Sequence, residues 1–213
     1  MRMASQKLTF VSVVFEAELP LLRLQARSAS VYLPLELVEA IIVIDNTARG
    51  IPKKFRDELL DDYGRLASLV RILRPSDICH VASTTGWRSQ QILKLRVAEL
   101  ITSDRYVTLD AKNHFVSPVE LSFFEAADGR ARVNVYGYET HPLRPKLERV
   151  LTYVGLDPSD YVGRFTATVT PFVLDAATVR AMVADIQRSS GRDFSKEFVA
   201  QDLTEFFLYS GWI

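Results

Sequence analysis

The apolar positions of this chain gather into short, nearly continuous runs separated by longer stretches with helical spacing. Residues 8–15, 40–44 and 106–109 are such runs, too apolar for a strand with one wet face, and they predict strands buried on both sides. Another strand is predicted at 69–73, halted by Pro75, with others at 131–136 and 165–174. Between them, residues 18–32 place Leu21, Leu24, Ala29 and Val31 at helical spacing, with Pro20 in the first turn. Helices are predicted also at 52–63, ending near Gly64, at 87–101 and at 142–154. Ser117-Pro118-Val119-Glu120 reads as a capping box whose helix Gly129 closes. Asp175 is the expected cap of a helix running to Arg188, and Ser195 of a last one through Tyr209. Strands and helices thus alternate, without internal repeats or a long linker. The pattern predicts one α/β domain over residues 1–213, a mainly parallel central sheet with helices on both faces.

Composition narrows the partners. The 213 residues carry 26 basic and 26 acidic side chains, so nothing points to nucleic acid or an anionic membrane. The single cysteine, Cys79, excludes an intramolecular disulfide and fits a reducing cytoplasm. The run at 8–15 is too short for a transmembrane segment and lacks a cleavage site, so a cytoplasmic location is expected. The aromatic stretch 206–213, without a polar tail, raises the expectation that the native chain continues past Ile213. No Walker loop, Gly-x-Ser-x-Gly elbow or dinucleotide Gly-x-Gly-x-x-Gly is present, which argues against kinase, hydrolase and dehydrogenase chemistry.

Ligands of open α/β sheets sit beyond the carboxyl ends of the strands. Three ends then matter: Val14-Phe15, Asp45-Asn46 and Asp110-Ala111-Lys112-Asn113. Phe15, Asp45 and Asn46 are candidates for the base and ribose of a nucleotide. A carboxylate at 45 can accept from ribose hydroxyls or a uracil imide, although Asp-Asn is also a common turn. In the helix before Asp110, Trp87, Gln91, Lys94 and Ala98 share one face, flanked by Arg88 and Gln90. A cation and amides near a helix start suit a phosphate. The plainer alternative buries Trp87 in the core and leaves the polar groups as a solvated face.

Taken together, several stretches resemble nucleotide-sugar glycosyltransferases of the GT-A type. They are 9–15, 42–46, Gly86-Trp87 through Gln90-Gln91 and Leu93-Lys94-Leu95 to Asn113, then 169–172 and 204–209. The chain is more closely similar to a bacterial domain family of unknown function grouped with those enzymes. The resemblance implies a GT-A-like nucleotide-diphospho-sugar transferase domain that moves a hexose to a saccharide or other hydroxyl acceptor in bacterial surface-glycan synthesis. It also implies an acid-any-acid motif holding Mn2+ or Mg2+ at the sugar diphosphate. Here Asp110 supplies the first acid, but Lys112 stands at the second. Three readings stay open: Lys112 itself neutralises the diphosphate, Asp110 with His114 or a residue beyond Ile213 still holds a metal, or the protein is a catalytically degenerate sugar- or nucleotide-binding module.

The same resemblance assigns Trp87, Arg88, Gln90, Gln91 and Lys94 to the donor, with Asp110, Lys112 and Asn113 at its diphosphate. It gives Glu205 the role of general base toward the acceptor hydroxyl. Asp202, three residues earlier and on the same face of the expected helix, is the substitute. His141, in the loop before Pro142, is the candidate acceptor contact.

Overall fold

The structure is a computed structural model and describes residues 7–81 and 84–213. At its centre lies a five-stranded sheet. β1 (Leu8–Val14) and β2 (Val38–Asp45) are the apolar runs, and β1 is buried at every position. β3 (Val70–Leu73) pairs parallel with β2, and β4 (Arg105–Leu109) parallel with β1. Two further strands, β5 (Val135–Tyr136) and β6 (Phe165–Thr166), form a separate antiparallel pair. β7 (Phe172–Asp175) joins the main sheet antiparallel to β4, giving the order β3-β2-β1-β4-β7.

Alternation along the strands sorts the core into two layers. Leu8, Phe10 and Val14 of β1, with Ile41 and Val43 of β2, meet α1 (Leu19–Tyr32) and α2 (Lys53–Tyr63). Val11, Val13, Ile42 and Ile44 face the other way, toward α3 (Gly86–Arg96), α4 (Arg144–Tyr153) and α5 (Ala176–Ser190). α6 (Phe194–Ala200) and α7 (Glu205–Trp212) complete that second layer. There the Phe172 and Phe206 rings stack at 4.2 Å and 6°, worth about 0.5–1.5 kcal/mol beyond the area they bury. The mainly parallel sheet with helices on both faces is the architecture that the sequence pattern predicts.

Four local expectations fail, each for a visible reason. The buried stripe of α1 is Leu22, Gln25, Ala26 and Ala29; Leu24 and Val31 point outward at 47% and 65% exposure. Residues 117–129 do not form a helix beyond a single turn at Leu121–Phe123. Phe124 alone is fully buried there, so no stripe exists to hold a longer helix on the sheet. Of 131–136, only β5 is a strand; residues 132–137 are exposed, and Ala131 bridges Glu125 instead. The run 165–174 divides into β6 and β7 around Pro171, which has no N–H to give a ladder.

The last expected helix is likewise two. Asp193, not Ser195, caps α6. The Ser195 hydroxyl instead bonds Asp193 and the carbonyl of His80. After α6 the backbone turns through Asp202 at φ 55°, Leu203 N–H bonds the Phe198 carbonyl, and Thr204 opens α7. The reversal buries Leu203 and Phe206 in the second layer.

Candidate functional site

Asp110 follows β4 with the alternation of Tyr106 and Thr108, toward α3 and α7. Its Oδ1 lies 3.0 Å from Lys94 Nζ and its Oδ2 3.6 Å from Lys112 Nζ. Lys94 Nζ also lies 3.7 Å from Glu205 Oε1, so one ammonium sits between two carboxylates. The Lys94 side chain is 4% exposed, that of Glu205 9% and that of Lys112 72%. One lysine is therefore fixed and the other stands at the mouth. Phe206 presents its ring 5.3 Å from Lys94 Nζ. The turn after Asp110 is closed by its own hydrogen bonds: Asn113 Oδ1 accepts from Asp110 N–H at 2.7 Å, and Asn113 N–H bonds the Asp110 carbonyl. Gln25 of α1 donates to the carbonyls of Asp110 and Asn113 at 2.8 and 3.1 Å.

The two carboxyls of this centre are driven apart. Burial opposes ionisation of Asp110, but Lys94, the Thr170 side chain and Lys112 outweigh it and hold the group below its usual range. For Glu205 burial prevails over Lys94, and the carboxyl is pushed up. Carboxylates separated in this way suit different tasks in proton transfer. Beside them Gln91 is buried; its Oε1 accepts weakly from Glu205 N–H at 3.4 Å, and its Nε2 has no partner among the described residues. The Thr204 hydroxyl is buried and likewise without a partner among the described residues.

Asp45 ends β2 with the alternation of Ile41 and Val43, so it faces the opposite layer. Its Oδ1 accepts from Thr47 N–H, the Thr47 hydroxyl and Arg74 Nη1, the last at 2.9 Å, and its Oδ2 from Ile51 N–H at 2.7 Å. Arg74 Nη2 bonds the Thr47 carbonyl at 2.8 Å. Asp45 is fully buried, and these donors overcome that burial to hold its carboxyl low. Asn46 donates to Ser89 Oγ at 2.8 Å, tying this edge to α3. Phe15 packs on Gly86, where a Cβ would come 3.0 Å from its ring. An open cavity of about 360 Å³ lies along Glu16, Leu19, Thr47, Ala48 and Gly50, beyond the ends of β1 and β2.

The remaining candidates disperse. Trp87 stands 48% exposed with Arg88 stacked near its ring, and Gln90 is half-buried. The face of α3 that meets the C-terminal segment is Arg88, Gln91 and Lys94 rather than one led by Trp87. Arg88 turns to Asp202 and the Leu203 carbonyl. Asp202 sits in the turn before α7, held by Arg88, Lys146 and Arg149, so it does not share a helix face with Glu205. His114 is exposed. His141 accepts from Leu143 N–H at 3.0 Å and lies among Tyr136 and Tyr138 beside the small sheet.

Residues 41–213 match the model of a family of unknown function, DUF6492. The chain belongs to that family. No match was found among curated proteins. Among solved structures it is similar to the galactosyltransferase LgtC in complex with donor and acceptor sugar analogues. That match has 12% identity and a TM-score of 0.54, over 92% of this chain and 71% of LgtC. An active-site mutant of LgtC aligns with a TM-score of 0.55 and 12% identity, over 92% and 70%. The DUF6492 chain thus has the GT-A glycosyltransferase fold.

A divalent cation does not fit the donor set in this DUF6492 member. Both Asp110 oxygens face lysines, the next acid of the motif is Lys112, and no group of three His, Cys, Asp or Glu side chains converges among the described residues. Two contributors escape the sequence reading. Arg74 directly follows β3 at the same edge as Asp45, and the strand-end rule applied to β3 would have found it. Gln25 is the polar member of the α1 stripe, recognisable once Leu22, Ala26 and Ala29 are seen as the buried face.

Proposed function

We propose that this DUF6492 chain transfers a sugar from a nucleotide-diphosphate sugar to a hydroxyl acceptor, in bacterial surface-glycan synthesis, without a metal ion. The observation that carries the reading is the Asp110–Lys94–Glu205 centre at the carboxyl edge of a GT-A sheet. In this reading the nucleotide lies in the cavity beyond β1 and β2, on the loop that Asp45 and Arg74 hold shut, with Phe15 and Asn46 on its α3 side. The diphosphate reaches toward Lys112, whose exposed ammonium is free to swing onto it, with Asn113, Gln90 and Trp87 alongside. Lys94 remains in place as the fixed countercharge between Asp110 and Glu205. Glu205, whose carboxyl burial makes more basic, takes the acceptor proton as the hydroxyl oxygen attacks the anomeric carbon and the nucleoside diphosphate leaves. Lys112 offsets the charge that develops on the leaving group.

A second reading has one observation in its favour: both carboxylates of the centre are already neutralised by lysines, as in a binding module without turnover. Thermal-shift measurements against UDP, GDP, CDP and ADP sugars, each with and without Mn2+, test both. A ligand that binds only the folded chain raises the Tm. The transferase reading expects a rise with one nucleotide sugar that Mn2+ does not change, and that Lys112→Asp abolishes. Release of free nucleoside diphosphate on adding acceptor separates transferase from module. If no donor moves the Tm of the folded chain, both readings fall.

A further inference from the structure

Arg88 from the first turn of α3, with Lys146 and Arg149 from α4, converge on the single carboxylate of Asp202 in the turn between α6 and α7. Arg149 Nη1 lies 3.2 Å from Asp202 Oδ2, which Lys146 also contacts, while Arg88 takes Oδ1. Three cations against one anion leave an excess of positive charge, close together and only partly in water. Their side chains are 15%, 29% and 55% exposed, graded from Arg88 inward to Arg149 outward. Burial and the neighbouring arginines lower the proton affinity of Lys146, and burial with Arg149 does the same to Arg88. Such a cluster is short of negative charge. Asp202 itself holds the left-handed position that ends α6, where Leu203 N–H bonds the Phe198 carbonyl.

We propose that Arg88, Lys146 and Arg149 form a binding subsite for a phosphoryl group. Guanidinium forks match the planar pairs of oxygens on a phosphate, and an ammonium adds a point charge. Arg149 opens onto a surface cavity of about 420 Å³ that Thr152, Tyr153 and Gln201 also line. Glu148, on the same wall, is matched by Arg144 at 2.7 Å and does not cancel the excess. An arriving phosphoryl group takes the outer face of the three cations and shares them with Asp202. Its place relative to the transfer centre is set by α3: Arg88, Gln91 and Lys94 follow at intervals of three, so the subsite lies about 9 Å along the helix from Lys94. Calling the ligand a phosphorylated acceptor rests on the proposed transferase function; binding of the phosphoryl group does not.

The same chemistry is offered by a soluble phosphate ester and by a lipid phosphate, and two probes distinguish them. Glycerol 3-phosphate is titrated calorimetrically into the whole chain at fixed ionic strength, and sedimentation is measured with phosphatidylcholine vesicles with and without phosphatidic acid. Binding of glycerol 3-phosphate supports a soluble ester; binding only to the vesicles that contain phosphatidic acid supports a lipid one. In either case Arg149→Gln, at a position more than half exposed, weakens binding about tenfold, as loss of one charge-assisted bond does. Asp202→Asn keeps a side chain that tolerates the left-handed backbone and removes the competing charge. It tightens binding, a gain that a purely structural ion cluster would not give. Binding to neither probe by the parent chain and Asp202→Asn, or equal binding by the parent chain and Arg149→Gln, overturns the proposal. Because no nucleotide sugar is present, this result is independent of the donor test above.

Discussion

Asp45 and Asp110 begin alike and end differently. Each closes a parallel strand at the same edge of the sheet, and each meets a cation from a neighbouring element, Arg74 or Lys94. Asp45, however, gathers backbone N–H groups of Thr47 and Ile51 and disappears from the surface. Asp110 accepts mainly from side chains and keeps 28% of its own side chain in solvent. The difference comes from alternation: one acid falls on the layer of α1 and α2, the other on that of α3 and α7. A carboxylate that satisfies main-chain donors builds a loop. A carboxylate facing a second acid across a lysine keeps chemistry available.

The largest effect that would break this contrast is on stability. Asp45→Ala takes one partner from the part-exposed Arg74 and leaves the buried N–H groups of Thr47 and Ile51 unsatisfied; it should cost about 3–4 kcal/mol, mostly from the two backbone donors, read as a lowered urea midpoint. A loss below about 1 kcal/mol would place Asp45 among ordinary surface acids and dissolve the contrast. Next is Lys94→Ala, which leaves Asp110 and Glu205 facing each other; roughly 2–3 kcal/mol is expected because Asp110 has some access to water. Adding Glu205→Gln should return part of that loss. Strictly additive losses in the double-mutant cycle would show that Lys94 does not couple the two acids.

The smallest effect sharpens the contrast and appears in the pH dependence of stability. Glu205 is held above its ordinary 4.5, so the folded chain keeps that proton more tightly than the unfolded one. Stability contributed there falls as pH rises from 4.5 through the raised value, and Glu205→Gln removes the fall. Asp45 and Asp110 are held below 3.8 and act with the opposite sign. Their contribution is present above 3.8 and is lost as pH drops through their lowered values. Urea titrations at a series of pH values separate the three; a Glu205→Gln curve parallel to that of the parent chain above pH 4.5 would contradict the assignment.

Legibility from sequence followed the length of the apolar signal. β1, β2 and β4 are unbroken runs whose burial on both sides leaves them little alternative, and their carboxyl ends pointed directly to Asp45 and Asp110. Lys94 and Glu205 were legible as candidates, and the fold places them together. Their contact depends on α7 folding back across α3, which no local spacing encodes. Asp202 misleads because the local spacing continues a single helix where Leu203 must turn inward. The capping box at 117–120 misled for the converse reason: a valid local start signal has no effect without an apolar face to sustain it. Gln25 and Arg74 act across 85 and 27 residues respectively, and neither carries a local motif.

Gln25 also ties the site to the other face of the sheet. Its amide comes from α1, on the face of the sheet opposite Lys94, and holds the two carbonyls that frame the turn from Asp110 to Asn113. This tie adds to the turn's own Asn113 bonds and holds while α1 lies on the sheet, where Ser12 donates to the Gln25 oxygen at 2.9 Å. Removing the tie with Gln25→Ala should therefore speed hydrogen exchange at Asn113 N–H, which is then left to the turn's own bonds. A helix on one face of the sheet thus braces an edge whose side chains open toward the other.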